Sequence, residues 1–213
     1  MVRSFWGKSP GELTFQIPSI ILEPPRKRNS PGRGEERSFT MIRKAVPGDL
    51  DAIEEIYDAL FRADEKRGHS YTNWQRGLYP TRDTARKAGK AGTLYVVEMG
   101  GDIAAAVNLN QVQPDEYAAI PWTIPAKDSE VLVIHTLVVH PVIAGKGLGR
   151  KLVAFAEGLG AGMGCKAIRL DTYEGNEPAR SFYERQGYRL AGSAPFHFEG
   201  VIDETLVCYE KEI

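Results

Sequence analysis

The chain is poor in cysteine, has no long apolar run and carries almost no net charge, and each shortage excludes a class of protein. Only Cys165 and Cys208 occur in 213 residues. Both fall in or beside stretches that read as strands, so buried thiols are expected in a reducing, cytoplasmic compartment, not a disulfide framework. No stretch of about 18 apolar residues occurs, so no membrane-spanning helix is expected. The 27 basic and 28 acidic residues leave a net charge of −1, and that balance does not suggest a nucleic-acid partner. The four histidines, His69, His135, His140 and His197, are scattered, and no Cys/His cluster has ligand spacing, so no metal is expected. The Walker A string, Gly and four residues before Gly-Lys-Ser/Thr, is absent too.

What is present centres on Val131 to Met163. Val131 to Val139 is β-branched and apolar enough for a buried strand, and Pro141, which cannot donate to a ladder, ends it. Gly145, Gly147 and Gly149 then stand at every second position and leave their main-chain N–H groups uncovered. A helix with apolar Leu148, Leu152, Val153, Phe155 and Ala156 begins inside that loop. Bare amides at a helix start favour negative charge, and Lys146 and Arg150 add to it, so the stretch suits a phosphorylated ligand. Asp171, ending the next strand, superficially supplies the acid of a dinucleotide fold. The glycines are nevertheless spaced Gly-x-Gly-x-Gly, and five residues separate them from the strand, which tells against that fold.

These residues resemble the GNAT superfamily of N-acetyltransferases. Leu137-Val138-Val139-His140-Pro141 is similar to the end of the family's central strand, and Ala144-Gly145-Lys146-Gly147-Leu148-Gly149 to its pyrophosphate loop. Ala144 stands where Arg or Gln is usual, which should weaken a grip made largely by main-chain amides without abolishing it. A second block, Asn176-Glu-Pro-Ala-Arg-Ser-Phe-Tyr-Glu-Arg-Gln-Gly-Tyr188, resembles the family's Asn-x-x-Ala-x-x-Phe-Tyr-Glu-x-x-Gly-Phe segment. The likeness extends from Met41 to the C-terminus. It implies acetyl-CoA as cosubstrate, held by Leu137, Val138, Val139, Ala144, Gly145, Lys146, Gly147, Leu148, Gly149, Arg150 and Asn176.

Along the chain, residues 1–39 hold five prolines, seven Lys/Arg and four acids, and read as a disordered N-terminal extension to a domain of residues 40–213. A strand opens at Met41, and Pro47-Gly48-Asp49 turns the chain, with Asp49 able to cap the helix of Leu50, Ile53, Ile56, Tyr57 and Leu60. That helix should stop near Gly68. Tyr71, Trp74 and Tyr79 follow in a loop that serves either as core or as substrate wall. After a short helix from about Asp83 to Lys90, Thr93 to Met99 and Ile103 to Gln111 form a hairpin about Gly100-Gly101-Asp102. The long connection with Trp122 precedes the central strand. Its helix should run out among Gly158, Gly160, Gly162 and Gly164. Ala167 to Tyr173, Tyr188 to Ser193 and Glu204 to Lys211 read as strands, with a helix from Glu177 to Gln186. The order β-α-α-β-β-β-α-β-α-β-β is an α/β fold, a mixed sheet of about seven strands flanked by four helices. The resemblance implies that the strands around Leu137 and Leu170 splay to admit the pantetheine arm.

Acetyl transfer from a thioester to an amine needs a held thioester, a neutral amine, an oxyanion donor and a proton for the thiolate. Main-chain N–H groups near Val138 and Val139 can serve the first and third needs. The resemblance assigns the thiolate's proton to Tyr183, whose bland alternative is a half-buried helix aromatic. His135 interrupts an apolar strand, where serotonin-type members of the superfamily also carry a His; it is a base or a satisfied core residue. Asp171 and Glu130 are other base candidates, against which stands the rule that strand-end carboxylates are usually solvated or paired. His140 should face away from His135 by pleat alternation, barring a bulge. Asn176 is either a cofactor contact or a helix N-cap.

The expected function is acetyl transfer from acetyl-CoA to the amine of a small-molecule acceptor by direct attack in a ternary complex. A non-catalytic acyl-CoA sensor of the same fold and a dinucleotide-dependent oxidoreductase are the alternatives. Turnover on an amine panel separates the first, and NAD against coenzyme A binding separates the second. Oligomeric state, a homodimer included, stays open.

Overall fold

The computed structural model describes residues 20–21, 40–198 and 202–213. Its β-branched and apolar runs form β1 (Ile20–Ile21), β2 (Thr40–Lys44), β3 (Leu94–Met99), β4 (Asp102–Asn110), β5 (Val131–Val139), β6 (Ala167–Tyr173), β7 (Arg189–Phe198) and β8 (Ile202–Glu212). The amphipathic stretches form α1 (Leu50–Arg67), α2 (Arg82–Lys90), α3 (Leu148–Gly162) and α4 (Glu177–Arg185). One sheet results, ordered β1-β2-β3-β4-β5-β6-β8-β7. Among the described residues only β5 and β6 pair in parallel, linked through α3; every other pair is antiparallel. The α/β fold is thus a mixed sheet of seven full strands with four helices, plus the two-residue β1 at one edge.

Local chemistry sets the helix ends. Gly68 takes a left-handed conformation (φ 81°) and closes α1, as expected. Thr81 Oγ1 accepts from the Thr84 N–H at 3.3 Å to start α2. Asp49 behaves differently from the sequence expectation. Its side chain makes no cap to α1 and instead accepts from the Val46 N–H and from Arg43 Nη1, both at 2.7 Å. Arg43 sits within reach on the neighbouring strand and outcompetes the helix amides for this buried carboxylate.

α3 runs out within the expected glycines, passing Gly158 and Gly160 to end at Gly162, with Gly164 left-handed (φ 76°) just beyond. A Cβ on Gly160 would lie 2.7 Å from Ile213 Cδ1 and 3.2 Å from Ile168 Cδ1. Its missing side chain lets α3 press onto the sheet.

The sheet is covered on both faces. Leu148, Leu152 and Val153 of α3 and Tyr183 of α4 pack with Leu132, Ile134, Ile168 and Leu170. On the other face, Ile53, Ile56 and Tyr57 of α1 and Ala85 of α2 pack with Val96, Ala106 and Val138. The connection from β4 to β5 covers the rest, with Tyr117, Ile120 and Ile124 against Val131, Val133, Phe196 and Leu206. Each fully buried aliphatic among these contributes roughly 1.5–3 kcal/mol.

The tail expectation lies outside the described residues, apart from Ile20 and Ile21, which pair with Ile42 and Met41. β7 runs five residues beyond the expected Ser193, because Ala194 and Phe196 have an apolar layer to enter.

Candidate active site

β5 is irregular at one place, and the site is built there. Thr136 has φ 48°, a region that a β-branched residue enters only under constraint. Asn108 is opposite His135 but Ala106 is opposite Val138, so Thr136 and Leu137 together oppose the single residue Val107. This is a β-bulge. It exchanges the faces of the strand. Val131 and Val133 lie on the Tyr117 side with His135 following at period two, yet it is Val138, not Leu137, that packs against Ala106. Leu137 and Val139 join the α3 side. The Thr136 and Tyr79 hydroxyls are hydrogen-bonded, which fastens the aromatic loop to the bulge.

Pairing between β5 and β6 stops at Ile134 opposite Leu170, although β5 continues to Val139 and β6 to Tyr173. The two strands part at the expected place. The His140 N–H donates to the Ala104 carbonyl at 3.0 Å. By ladder alternation the Val138 N–H faces β4 as well, and the Val139 N–H faces the gap. Of the three strand residues expected at the cofactor, Val139 therefore offers an amide, Leu137 lines the cleft, and Val138 is a buried core residue.

Beyond β5, Gly145 and Gly147 take φ of 83° and 80°, and Gly147 is the N-cap of α3. Glycine brings no capping side chain, so the first helix amides are left for a ligand. Ala144, Lys146 and Arg150 are exposed beside them, and Leu148 anchors the turn in the core. Gly149 meets α4 instead, since a Cβ there would lie 3.4 Å from the Phe182 ring.

The parted strands open a cleft of about 180 Å³. His135, Leu137, Asn176 and Tyr183 all line it, together with Asp171. Asn176 caps α4, its Oδ1 accepting from the Ala179 N–H at 3.2 Å while Nδ2 donates to Thr172 Oγ1 at 3.1 Å. Tyr183 is buried and packs edge-on to Phe182 and Tyr188. Burial, and then the charge of Asp171, raise its phenol above the ordinary range. His135 Nε2 lies 3.2 Å from Asn110 Oδ1, and burial lowers the imidazole to about 4. It is neutral at working pH.

One expected base candidate lies elsewhere, and His140 stays out of the cleft as expected. Glu130 pairs with Lys166 at 2.9 Å outside the cleft. His140 caps the turn after β5, its Nδ1 accepting from the Val142 N–H at 3.3 Å. The bulge removes the parity argument for its direction, but this local hydrogen bond keeps it out of the cleft.

Several cleft residues escape a sequence reading: Asn108, Asn110, Thr136 and Glu204. The Tyr117 hydroxyl donates to Asp171 Oδ2 at 2.8 Å, and Asn73 Nδ2 donates to Glu204 Oε2 at 3.1 Å. Burial raises Asp171 to about 6, with the Tyr117 hydrogen bond opposing and the Glu116 charge adding. Burial likewise raises Glu204 to about 7, with Asn73 opposing and Asp171 adding. One signal for Glu204 was available. Ile202, Glu204 and Leu206 alternate, so the carboxylate shares the face of two buried aliphatics.

The sequence model of the acetyltransferase (GNAT) family matches residues 50–188, which hold the bulged strand, the glycine turn and the α4 block. The chain belongs to the GNAT acetyltransferase family. A curated relative, "Uncharacterized N-acetyltransferase YesJ" of Bacillus subtilis (strain 168), is 30% identical over 152 residues, covering 70% of this chain and 83% of its own. A GNAT-family acetyltransferase structure from Streptococcus agalactiae 2603 superposes with a TM-score of 0.67 at 22% identity, covering 82% of this chain and 96% of its own. The yncA structure from Salmonella typhimurium, with its cofactor acetyl-CoA, gives 0.59 at 19% identity, covering 81% and 93%. At those identities the structures speak for the GNAT fold. The GNAT cosubstrate is acetyl-CoA, and the bare amides of α3 suit its phosphates. Among the described residues no group of three or more His, Cys, Asp or Glu side chains is placed to hold a metal ion, and no helix is long and apolar enough to cross a membrane.

Proposed function

We propose that this chain moves an acetyl group from acetyl-CoA to the amine of a small molecule, by direct attack in a ternary complex. The observation that carries the reading is the cleft itself. The gap between β5 and β6 opens beside the α3 turn, and Tyr183 enters it from the α3–α4 face while His135 enters from the other. Cofactor and acceptor can thus approach from opposite faces of the sheet and meet where the strands part.

In this reading the α3 amides, Lys146 and Arg150 hold the phosphates, and Asn176 lines the path between them and the reacting centre. The Val139 N–H polarises the thioester carbonyl as negative charge develops on its oxygen. Tyr183 donates its proton to the leaving sulfur. Its raised pKa keeps the phenol protonated throughout the working range and makes it a weak acid, so the proton passes only as charge builds on sulfur. His135, neutral and anchored at Asn110, accepts a hydrogen bond from the entering amine rather than storing its proton. Residues 40–213 are the catalytic unit, to whose sheet Ile20 and Ile21 add a short edge strand, and the buried free thiols suit a cytoplasmic setting.

The test is calorimetric titration with acetyl-CoA and with NAD, followed by thiol release with a panel of primary amines. Acetyl-CoA binding and amine-dependent thiol release are expected. NAD binding without acetyl-CoA binding would overturn the reading.

A further inference from the structure

Acetylating an amine at neutral pH begins with an ammonium, so some group must accept its proton. His135, at about 4, is a poor store: a proton leaving an ordinary amine of pKa ~10.4 would climb roughly six decades to reach it. Asp171 has its Oδ2 taken by Tyr117 and directly follows Leu170, the last residue of β6 paired with β5. Glu204 differs from both. It stands opposite Phe196 in the β7–β8 hairpin, directed with Ile202 and Leu206 toward the cleft. The Asn73 amide orients it from the loop that carries Trp74 and Tyr79. It also borders a second groove on the outer surface, with His197 and Asp203, so one carboxylate touches both the cleft and a route to bulk water.

We infer that Glu204 is the carboxylate that anchors the acceptor's ammonium and takes its proton, and that the acceptor is a monocationic primary amine with an apolar body. The inference rests on the acetyl-transfer reading above. Trp74, Tyr79, Tyr173 and Phe196 supply apolar walls for the body, and Asp171 adds negative potential behind the ammonium. A free carboxylate on the acceptor would meet both acids and be rejected. The titratable groups that share the surroundings of Glu204 are Asp171 and Tyr173 on β6, Glu174 just after it, His135 on β5, Tyr183 on α4, Tyr79 in the aromatic loop, Lys87 on α2, His197 on β7 and Asp203 beside it. Lys87 is paired with Asp83 at 3.1 Å, which blunts its opposition.

The proton balance closes. The ammonium gives one proton to Glu204, and the neutral nitrogen forms the N–C bond to the thioester carbonyl. The C–S bond breaks, and sulfur takes the Tyr183 proton. The second nitrogen proton, freed as the amide forms, returns to Tyr183. Glu204 then releases its proton through the outer groove. At about 7 its carboxyl is poised for this cycle, leaving a climb of roughly three decades from the ammonium.

The experiment compares wild type, Glu204→Gln and Glu204→Asp at saturating acetyl-CoA, using 2-phenylethylamine, hexylamine and glutamate as acceptors and thiol release as the readout. Calorimetry with acetyl-CoA runs alongside. Glu204→Gln should lose roughly 10²-fold in kcat/KM for the first two amines, together with the acidic limb near pH 7, while the acetyl-CoA Kd holds. Glu204→Asp should recover part of the rate and the limb. Retention of the wild-type pH profile by a folded Glu204→Gln, or of its loss by Glu204→Asp with native circular dichroism, would overturn the assignment. Turnover of glutamate in preference to both apolar amines would overturn the acceptor class. Failure of the acetyl-transfer reading looks different, because the wild type would then not bind acetyl-CoA, or would bind it and release no thiol with any of the three amines.

Discussion

The Tyr117 hydroxyl donates to Asp171 Oδ2 at 2.8 Å, joining the β4–β5 connection to the strand that forms one wall of the cleft. A hydrogen bond to the charged form favours it, so this contact holds Asp171 below the value that burial alone would set. Tyr117→Phe keeps the ring and deletes the bond. Carboxyl-carbon NMR titration should place the Asp171 midpoint above about 6 in the variant. An unmoved midpoint would show that the bond does not bias the carboxylate.

Arg169 and Glu210 face each other across β6 and β8, both buried, with Nε to Oε2 at 3.9 Å. Glu210 accepts from the Thr123 N–H and hydroxyl, both at 2.7 Å, while Arg169 donates to the Ile124 carbonyl at 3.3 Å and stacks on Trp122 at 4.2 Å. The pair holds down the connection that carries Tyr117. Arg169→Met strands a buried carboxylate and should destabilise the fold by ~3 kcal/mol. Urea denaturation followed by tryptophan fluorescence reads both the loss and the release of Trp122.

Glu204 makes stability depend on pH in a direction opposite to a salt-bridged acid. Its carboxyl is raised from 4.5 to about 7, so the fold binds a proton that the unfolded chain gives up. Stability therefore falls as pH rises from about 4.5 to about 7, and is flat above. Glu204→Gln should remove that slope and be more stable than wild type at pH 8, by roughly 1 kcal/mol given that the side chain is half exposed to screening solvent. Thermal midpoints of both proteins across pH 5–8 check the sign.

The phosphate assignment makes Arg150 a site for charge reversal without strain, because it is exposed. Arg150→Glu should raise the acetyl-CoA Kd about tenfold at low salt, and less at high salt as the charges are screened. Calorimetry at two ionic strengths, with circular dichroism as the folding control, measures it.

The sequence made the frame legible because its signals are local. Apolar runs gave seven strands within a few residues, and Asn176 marked the start of α4. The gap could be placed near Leu137 and Leu170 from the resemblance, and pairing does stop at Leu170. The bulge at Thr136 was not legible, since nothing in Ile-His-Thr-Leu-Val announces a positive φ; the partner strand and the Tyr79 hydroxyl impose it. Glu204 was obscured in another way. It opens the expected strand beside exposed Asp203, and its alternation with Ile202 and Leu206 tells of a shared face without telling that the face, opposite Phe196, lines a cleft.

The most direct measurement is the rate of thiol release from acetyl-CoA with 2-phenylethylamine, in wild type and in Tyr183→Phe. The substitution removes one oxygen from a ring that stays packed against Phe182 and Tyr188. Amine-dependent release by the wild type is expected, slowed roughly 10²-fold in kcat by the variant at an unchanged acetyl-CoA Kd. Equal rates in the two proteins, or no amine-dependent release by the wild type, would contradict acetyl transfer through Tyr183.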